Sequence, residues 1–303
     1  MAGTRTPFFA NKTPGGVLAI ENGNTFTGTR FFVHSGTGTN AAGGGFSPDV
    51  PLASIDYAVG LCTANKGDVI YVMPGHAETV SAAAGLDLDV AGITIIGIGT
   101  GSLQPTVTLD TANTADIDVD AANITVENIR FHANFLDIAA AIDVNADDFT
   151  LRRCRFTEEG ADLNAKIWVQ DAAAAGSDRI TIEDCHCIAT DSTNTHFVNF
   201  AGTGDGHIVR RNYLMGDWGT MCVGGAGVVT NAIVVENYIQ NAATDIDSCI
   251  NFAATATGIC SRNIAFGGAA QANGITAQGM AKAENFYGVN AEDLQGILDP
   301  IVT

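Results

Sequence analysis

The side chains best suited to chemistry are carboxylates. Three short segments share one alternation: Ile117-Asp118-Val119, Ile142-Asp143-Val144 and Ile167-Trp168-Val169. Successive side chains of a strand point to opposite faces, so aligning the three puts Asp118, Asp143 and Trp168 in one outward column. Two carboxylates about one strand spacing apart, beside an indole, would suit acid–base cleavage of a glycoside with the ring as a sugar platform, or a bound Ca²⁺. The same aspartates, with Asp116 and Asp120, would equally solvate one face of a strand in an acidic protein. Cys185-His186-Cys187 sets two thiols on one face, but no second CxxC or HxxxH completes a tetrahedral set, and neither metal nor cofactor is expected. His34, His76, His132, His186, His196 and His207 are scattered without an i, i+4 pair and read as surface or turn residues. Gly43-Gly44-Gly45 lacks the Lys-Ser/Thr of a phosphate loop and reads as a flexible loop.

The elements that would carry such a column repeat along the chain. An eight-residue pattern recurs: apolar, any, apolar, two often charged residues, then Asn, Cys or Ile, any, apolar. It runs over Ile124–Phe131, Phe149–Phe156, Ile180–Cys187, His207–Leu214, Ala232–Ile239, Gly258–Ala265 and Met280–Tyr287, with an earlier copy at Ile93–Thr100. The sixth position falls at 129, 154, 185, 212, 237, 263 and 285, a period drifting between 22 and 31 residues. Between the copies lie second alternating strands: those named above, then Val198-Asn-Phe200, Met221-Cys-Val223, Ile250-Asn-Phe252 and Gly274-Ile-Thr276. The period is too short for strand, crossover helix and strand, and no amphipathic helix appears within the array. Burying one face of every strand while pairing every edge requires a coiled sheet in which each repeat is a rung. The expected fold is all-β, a right-handed parallel β-helix of about eight rungs. Asn212, Asn237, Asn263 and Asn285 would stack as an amide ladder, continued upstream by small, buried Cys154 and Cys185.

Composition narrows the function classes. The chain of 303 residues carries 33 Asp+Glu against 14 Lys+Arg, a net charge of −19 that opposes nucleic-acid binding. The opening residues lack an apolar signal core, and the best apolar run, Ala91 to Ile98, is far too short to span a membrane. Seven scattered cysteines (62, 154, 185, 187, 222, 249 and 260) read as free, buried thiols.

Rungs leave an open end, which the N-terminal third can close. Ser54 or Asp56 can cap a short helix presenting Ile55, Ala58, Val59 and Cys62 on one face, followed by the strand Val69 to Met73 and a Pro74-Gly75 stop. The pieces Arg30-Phe-Phe-Val-His34, Gly36 to Pro48, Ser54 to Cys62, and Gly67-Asp68-Val69-Ile70-Tyr71-Val72-Met73-Pro74-Gly75-His76-Ala77-Glu78 resemble the cap of the pectate-lyase-like parallel β-helix family. The resemblance spans residues 29 to 290. It implies the fold rather than an activity, because lyases, hydrolases, epimerases and virus structural proteins share it. Asp147-Asp148 and Gly206-His207 are similar to two elements of polygalacturonases, but Ile208 stands where a second Gly belongs, which argues against carrying the site over. The Arg152/Arg153 and Arg210/Arg211 pairs lie in the repeat and receive no catalytic role.

The expected organisation is an arm over residues 1–28, a cap and first rung over 29–80, the β-helix over 81–290 and a C-terminal cap over 291–303. Phe8, Phe9 and Phe26 make the arm apolar, as a segment docking on a partner would be. About 28 residues before the cap and 15 after the last rung leave no room for a tailspike's extra domains. The resemblance therefore implies a non-enzymatic bacteriophage virion protein assembled in the host cytoplasm, a capsid decoration protein forming a homotrimer. The alternative is a carbohydrate-active β-helix, lyase, hydrolase or glycan-binding spike, using Asp118, Asp143 and Trp168.

Overall fold

The computed structural model describes residues 27–160, 162–171, 176–189, 191–242, 248–267, 274–288 and 297–298. Phe8, Phe9 and Phe26 of the expected arm lie outside them, as does most of the tail. The described chain is a β-solenoid of about eight turns built from three long sheets and one short pair of strands, Gly204–Asp205 with Val229–Thr230. The central turns each contribute one strand to each long sheet in a fixed order, while the turns at the two ends do not reach all three. The first sheet has ten strands, Arg30–Val33, Val69–Val72, Thr94–Gly97, Thr125–Glu127, Thr150–Arg152, Thr181–Glu183, Ile208–Arg210, Ala232–Val235, Gly258–Ser261 and Ala281–Ala283. A two-residue turn leads from each repeat strand to the third sheet, which includes Arg130–Ala133, Arg155–Glu158, His186–Ala189, Tyr213–Gly216, Tyr238–Asn241, Ile264–Phe266 and Phe286–Gly288. A longer connection then reaches the second sheet, seven strands that include Leu86–Asp87, Ile117–Val119, Ile142–Val144, Ile167–Asp171 and His196–Phe200.

Pairing within the sheets is parallel except at the last strand, Ile297–Leu298, which runs antiparallel to Phe286 and Tyr287. The register aligns the repeat as its sequence does: Thr125 pairs with Thr150, Thr150 with Thr181 and Thr181 with Ile208. Positions one, three, six and eight point inward, so Ile124, Val126, Ile129 and Phe131 are buried together, and so are Phe149, Leu151, Cys154 and Phe156. At roughly 25 cal/mol per Å² of apolar surface removed from water, this continuous stack supplies most of the folding drive.

The turn between the first and third sheets is built the same way in rung after rung. Its leading residue takes the left-handed conformation at Asn128, Arg153, Asp184, Arg211, Glu236, Arg262 and Glu284, with φ between 54° and 60°. Non-glycine residues adopt that region at a cost of about 1 kcal/mol. From Arg153 onward their charges alternate in sign up the stack, which sets opposite charges in neighbouring rungs side by side. Arg211 pairs with Asp184 at 2.7 Å and Glu183 at 3.0 Å, and Arg262 with Glu236 at 2.9 Å. Arg152 pairs with Glu127 at 2.6 Å, and Arg153 also reaches Glu127.

The next residue of the turn points inward. Asn237 Oδ1 accepts from Asn212 N at 3.1 Å and Asn212 Nδ2 at 3.0 Å, while its own Nδ2 donates to Val209 O at 2.9 Å and Asn263 Oδ1 at 3.0 Å. Asn263 and Asn285 repeat the pattern, and Asn212 Oδ1 accepts Cys185 N–H at 2.9 Å. The thiols of Cys154 and Cys185 turn toward Arg152 O and Glu183 O, both at 3.4 Å.

The helix Ile55–Val59 closes the N-terminal end with Ile55, Ala58 and Val59 buried, and Ser54 caps it by accepting Tyr57 N–H at 3.3 Å. The cap motif has a physical reason. Asp68 accepts the N–H of Thr63 at 2.7 Å and that of Thr29, and Glu78 accepts Ile55 N–H at 2.9 Å, tying loop and helix to the first rungs. Among the described residues no helix is long and apolar enough to cross a membrane.

Candidate functional site

Parallel pairing in the second sheet sets Asp87 beside Asp118 and Asp118 beside Asp143. These three form one outward ladder, each carboxylate about 4.8 Å from the next along the axis. Trp168 does not continue it. Ile142 pairs with Val169, not Ile167, so Gln170 and then Asn199 follow Asp143 in the column. A shift of two residues preserves alternation, and alternation alone could not detect it. Trp168 is wholly buried at a corner of the coil, its ring edge-on to Phe156 at 5.3 Å, and it cannot serve as a glycan platform. The same shift turns Asp171 inward between Val144 and Phe200, where burial pushes its carboxyl up to about 6 and neither carboxylate oxygen has a hydrogen-bond partner among the described residues.

Partial burial, followed by Asp116, Asp120, Asp143 and Asp87, raises the Asp118 carboxyl to about 6. Asp143 is raised by burial and then by Asp116 and Asp120; Asp87 is raised by burial and then by Asp89, Asp120 and Asp56. One rung matches the roughly 5–5.5 Å between the two carboxyls of a retaining glycosidase. Division of labour is weak, however. An acid and a nucleophile need environments that push their pKa values apart, whereas burial and neighbouring aspartates push both of these upward. Among the described residues no three His, Cys, Asp or Glu side chains converge as metal ligands.

A second polar cluster lies on the turn into the first sheet. Arg179 grips Asp148 with two hydrogen bonds, Nε at 2.6 Å and Nη2 at 3.0 Å, and lies 3.3 Å from Asp147 and 3.4 Å from Asp178. The Arg179 hydrogen bond holds Asp148 below the usual carboxylate range. Such a carboxylate is a poor base. His207, one rung beyond Arg179, points into the core instead of toward Asp148. It stacks on Phe200 at 4.5 Å and accepts Ile180 N–H at 3.2 Å, and burial lowers it to about 4. Gly204 packs against its edge, where a β-carbon would stand 2.2 Å from Nε2. His76 and His196 are also buried, so half of the six histidines are interior groups rather than surface ones. Cys185 and Cys187 are both buried, with thiols raised well above their ordinary value by desolvation, while His186 between them faces outward.

The third sheet carries a feature that the sequence reading missed. Its outward column runs Arg130, Arg155, His186, Tyr213, Tyr238, Ile264 and Phe286. Cationic at the N-terminal end, it becomes aromatic and aliphatic toward the C-terminal end. His186 and Tyr213 stack at 5.1 Å with 2° between planes, and Tyr213 and Tyr238 at 4.8 Å with 7°. The adjoining column adds Ile188, Met215 and Phe266. Ile188, Tyr213 and Ile264 are 41%, 40% and 42% exposed, and Ile233 and Ile259 extend the apolar surface around the turn onto the first sheet. The signal was present in the repeat: its seventh position, which tolerates any residue, holds only His, Tyr, Ile or Phe from residue 186 onward.

No family model matches the chain, and no curated protein matches its sequence. Among solved structures it is similar to the lacto-N-biosidase of glycoside hydrolase family 136 from Eubacterium ramulus, at TM-score 0.51 and 11% identity over 86% of this chain and 68% of that one. A rhamnogalacturonan lyase gives TM-score 0.41 and 10% identity over 85% and 87% of the two chains. The protein of open reading frame 18 of Geobacillus virus E2 gives 0.37 and 10% over 78% and 57%. At such identities the likeness is one of fold, a parallel β-helix.

Proposed function

We propose that this chain is a structural protein of a bacteriophage virion, a β-helical decoration or stabilising protein of the pectate-lyase-like kind that works as a homotrimer on the capsid surface. One observation carries the reading: an apolar stripe from His186 to Phe286 along the outside of a finished solenoid, where solvent would otherwise select charge. The stripe favours docking to protein over binding of sugar. Rings stacked along the axis at 4.8 and 5.1 Å turn their faces to one another and only their edges outward, leaving little flat surface for a pyranose. The test is co-sedimentation of the purified chain with virions or empty capsids, followed by imaging of the decorated particle. Saturable binding is expected, and absence of binding to any particle that encodes the chain refutes the reading.

A second reading, a carbohydrate-active β-helix, is favoured by the one-rung spacing of Asp118 and Asp143 and by the raised Asp118 carboxyl. Cleavage of an acidic polysaccharide by the chain, lost in both Asp118→Asn and Asp143→Asn, would establish it.

A further inference from the structure

The outer wall divides by charge. The second sheet presents Asp87, Asp118 and Asp143 with Asp116 and Asp120 beside them, and no basic residue interrupts that column. The edge joining the first and third sheets differs. From residue 183 to 284 its turns carry Glu183, Asp184, Glu236 and Glu284 against Arg210, Arg211 and Arg262, alternating in sign from rung to rung. That is near balance in a chain with 33 acidic and 14 basic residues. The stripe next to this edge is free of formal charge from His186 onward if the imidazole is neutral, and burial and Arg155 lower the His186 pKa.

We infer that this stripe, with the alternating edge beside it, is the surface on which a second copy of the same chain docks; the inference rests on the docking reading above and names its first partner. Charge selects the occupant. Anionic lipid and nucleic acid are repelled by a net −19, and a basic protein would be drawn to the aspartate ladder on another face. Two copies of this chain approaching by their aspartate faces bring like charges together. Approaching by the balanced edge, they bury Ile188, Tyr213, Tyr238, Ile264 and Phe266 without opposing net charge, and the rim supplies charges of both signs.

The test is the mass of the full chain by sedimentation velocity over a concentration series, with Ile264→Lys on the stripe and Thr125→Lys on the outer face of the first sheet near its N-terminal end. The wild-type chain and Thr125→Lys are expected to assemble alike, and Ile264→Lys to weaken assembly roughly tenfold or more. A monomeric wild-type chain, or Ile264→Lys assembling as Thr125→Lys does, overturns the inference. Should the lysine variant misfold, Ile264→Cys provides a milder probe. Its thiol should resist maleimide at assembling concentration and react on dilution; equal reactivity at both overturns the inference. If deleting residues 1–26 exposes that thiol while the mass stays unchanged, the arm covers the stripe and the inference again fails. The outcomes are distinguishable: a chain that stays monomeric yet binds capsids refutes the inference and the homotrimer but leaves the capsid-binding reading standing, and one that assembles yet binds no particle refutes the virion reading alone.

Discussion

Removing one amide from the middle of the asparagine ladder should cost more than any surface change in the same rung. Asn237 is 1% exposed and makes four hydrogen bonds, two through Oδ1 and two through Nδ2. Asn237→Ala takes the acceptor from the Asn212 N–H and a donor from Val209 O, and leaves Asn212 Nδ2 and Asn263 Oδ1 with one partner fewer each. A buried polar group without a partner costs about 1–3 kcal/mol, so two such losses amount to roughly 2–6 kcal/mol, a large part of a typical stability of about 5–15 kcal/mol. Asn237→Asp keeps the shape but turns a second oxygen toward Val209 O and Asn263 Oδ1. A buried aspartate there would have its folded pKa raised, so its stability penalty is small below about pH 4 and grows as pH climbs through the folded pKa. Urea unfolding at pH 4 and 7 measures both, with outward Gln240→Ala expected to stay within about 0.5 kcal/mol of wild type. An Asn237→Ala cost below about 1 kcal/mol, or an Asp variant equally impaired at both pH values, would refute the reasoning.

Three further outcomes follow from the same geometry. Because burial raises Asp171 to about 6, the folded state favours its protonated form; that stabilisation is complete below about pH 4 and lost by about pH 6, so Asp171→Asn should gain about 1–3 kcal/mol at pH 8 and nothing at pH 4, read from thermal melts. Arg179→Ala breaks only half-exposed contacts to Asp147, Asp148 and Asp178, so the shift in its urea-unfolding midpoint should be small in low salt and disappear in concentrated salt. The thiols of Cys185, Cys187 and Cys222 are raised well above their ordinary value by burial, and that of Cys62 is pushed up to about 12, so an aromatic disulfide reagent at pH 8 should label none of the four until the chain unfolds.

The solenoid was legible in the sequence because its determinants are local and repeated. Apolar residues at fixed places in each copy decide which side of a strand is buried, and stacking copies is the arrangement that buries them all. The inward asparagine position could be read for the same reason, since a column of one residue type at one repeat position has a single place to point. Register across the second sheet could not. Ile167-Trp168-Val169 and Val169-Gln170-Asp171 present the same alternation, and choosing between them depends on whether a large indole fits the corner beside Phe156 and Phe197. That is a question of volume, settled only when neighbouring rungs close around it. The outward rings of His186, Tyr213 and Tyr238 lay in view of the repeat, but stacking depends on rung spacing and side-chain direction, which are properties of the assembled coil. The composition fixed how much negative charge the chain carries; the winding decided that the aspartates gather on one wall while the arginines pair off along another.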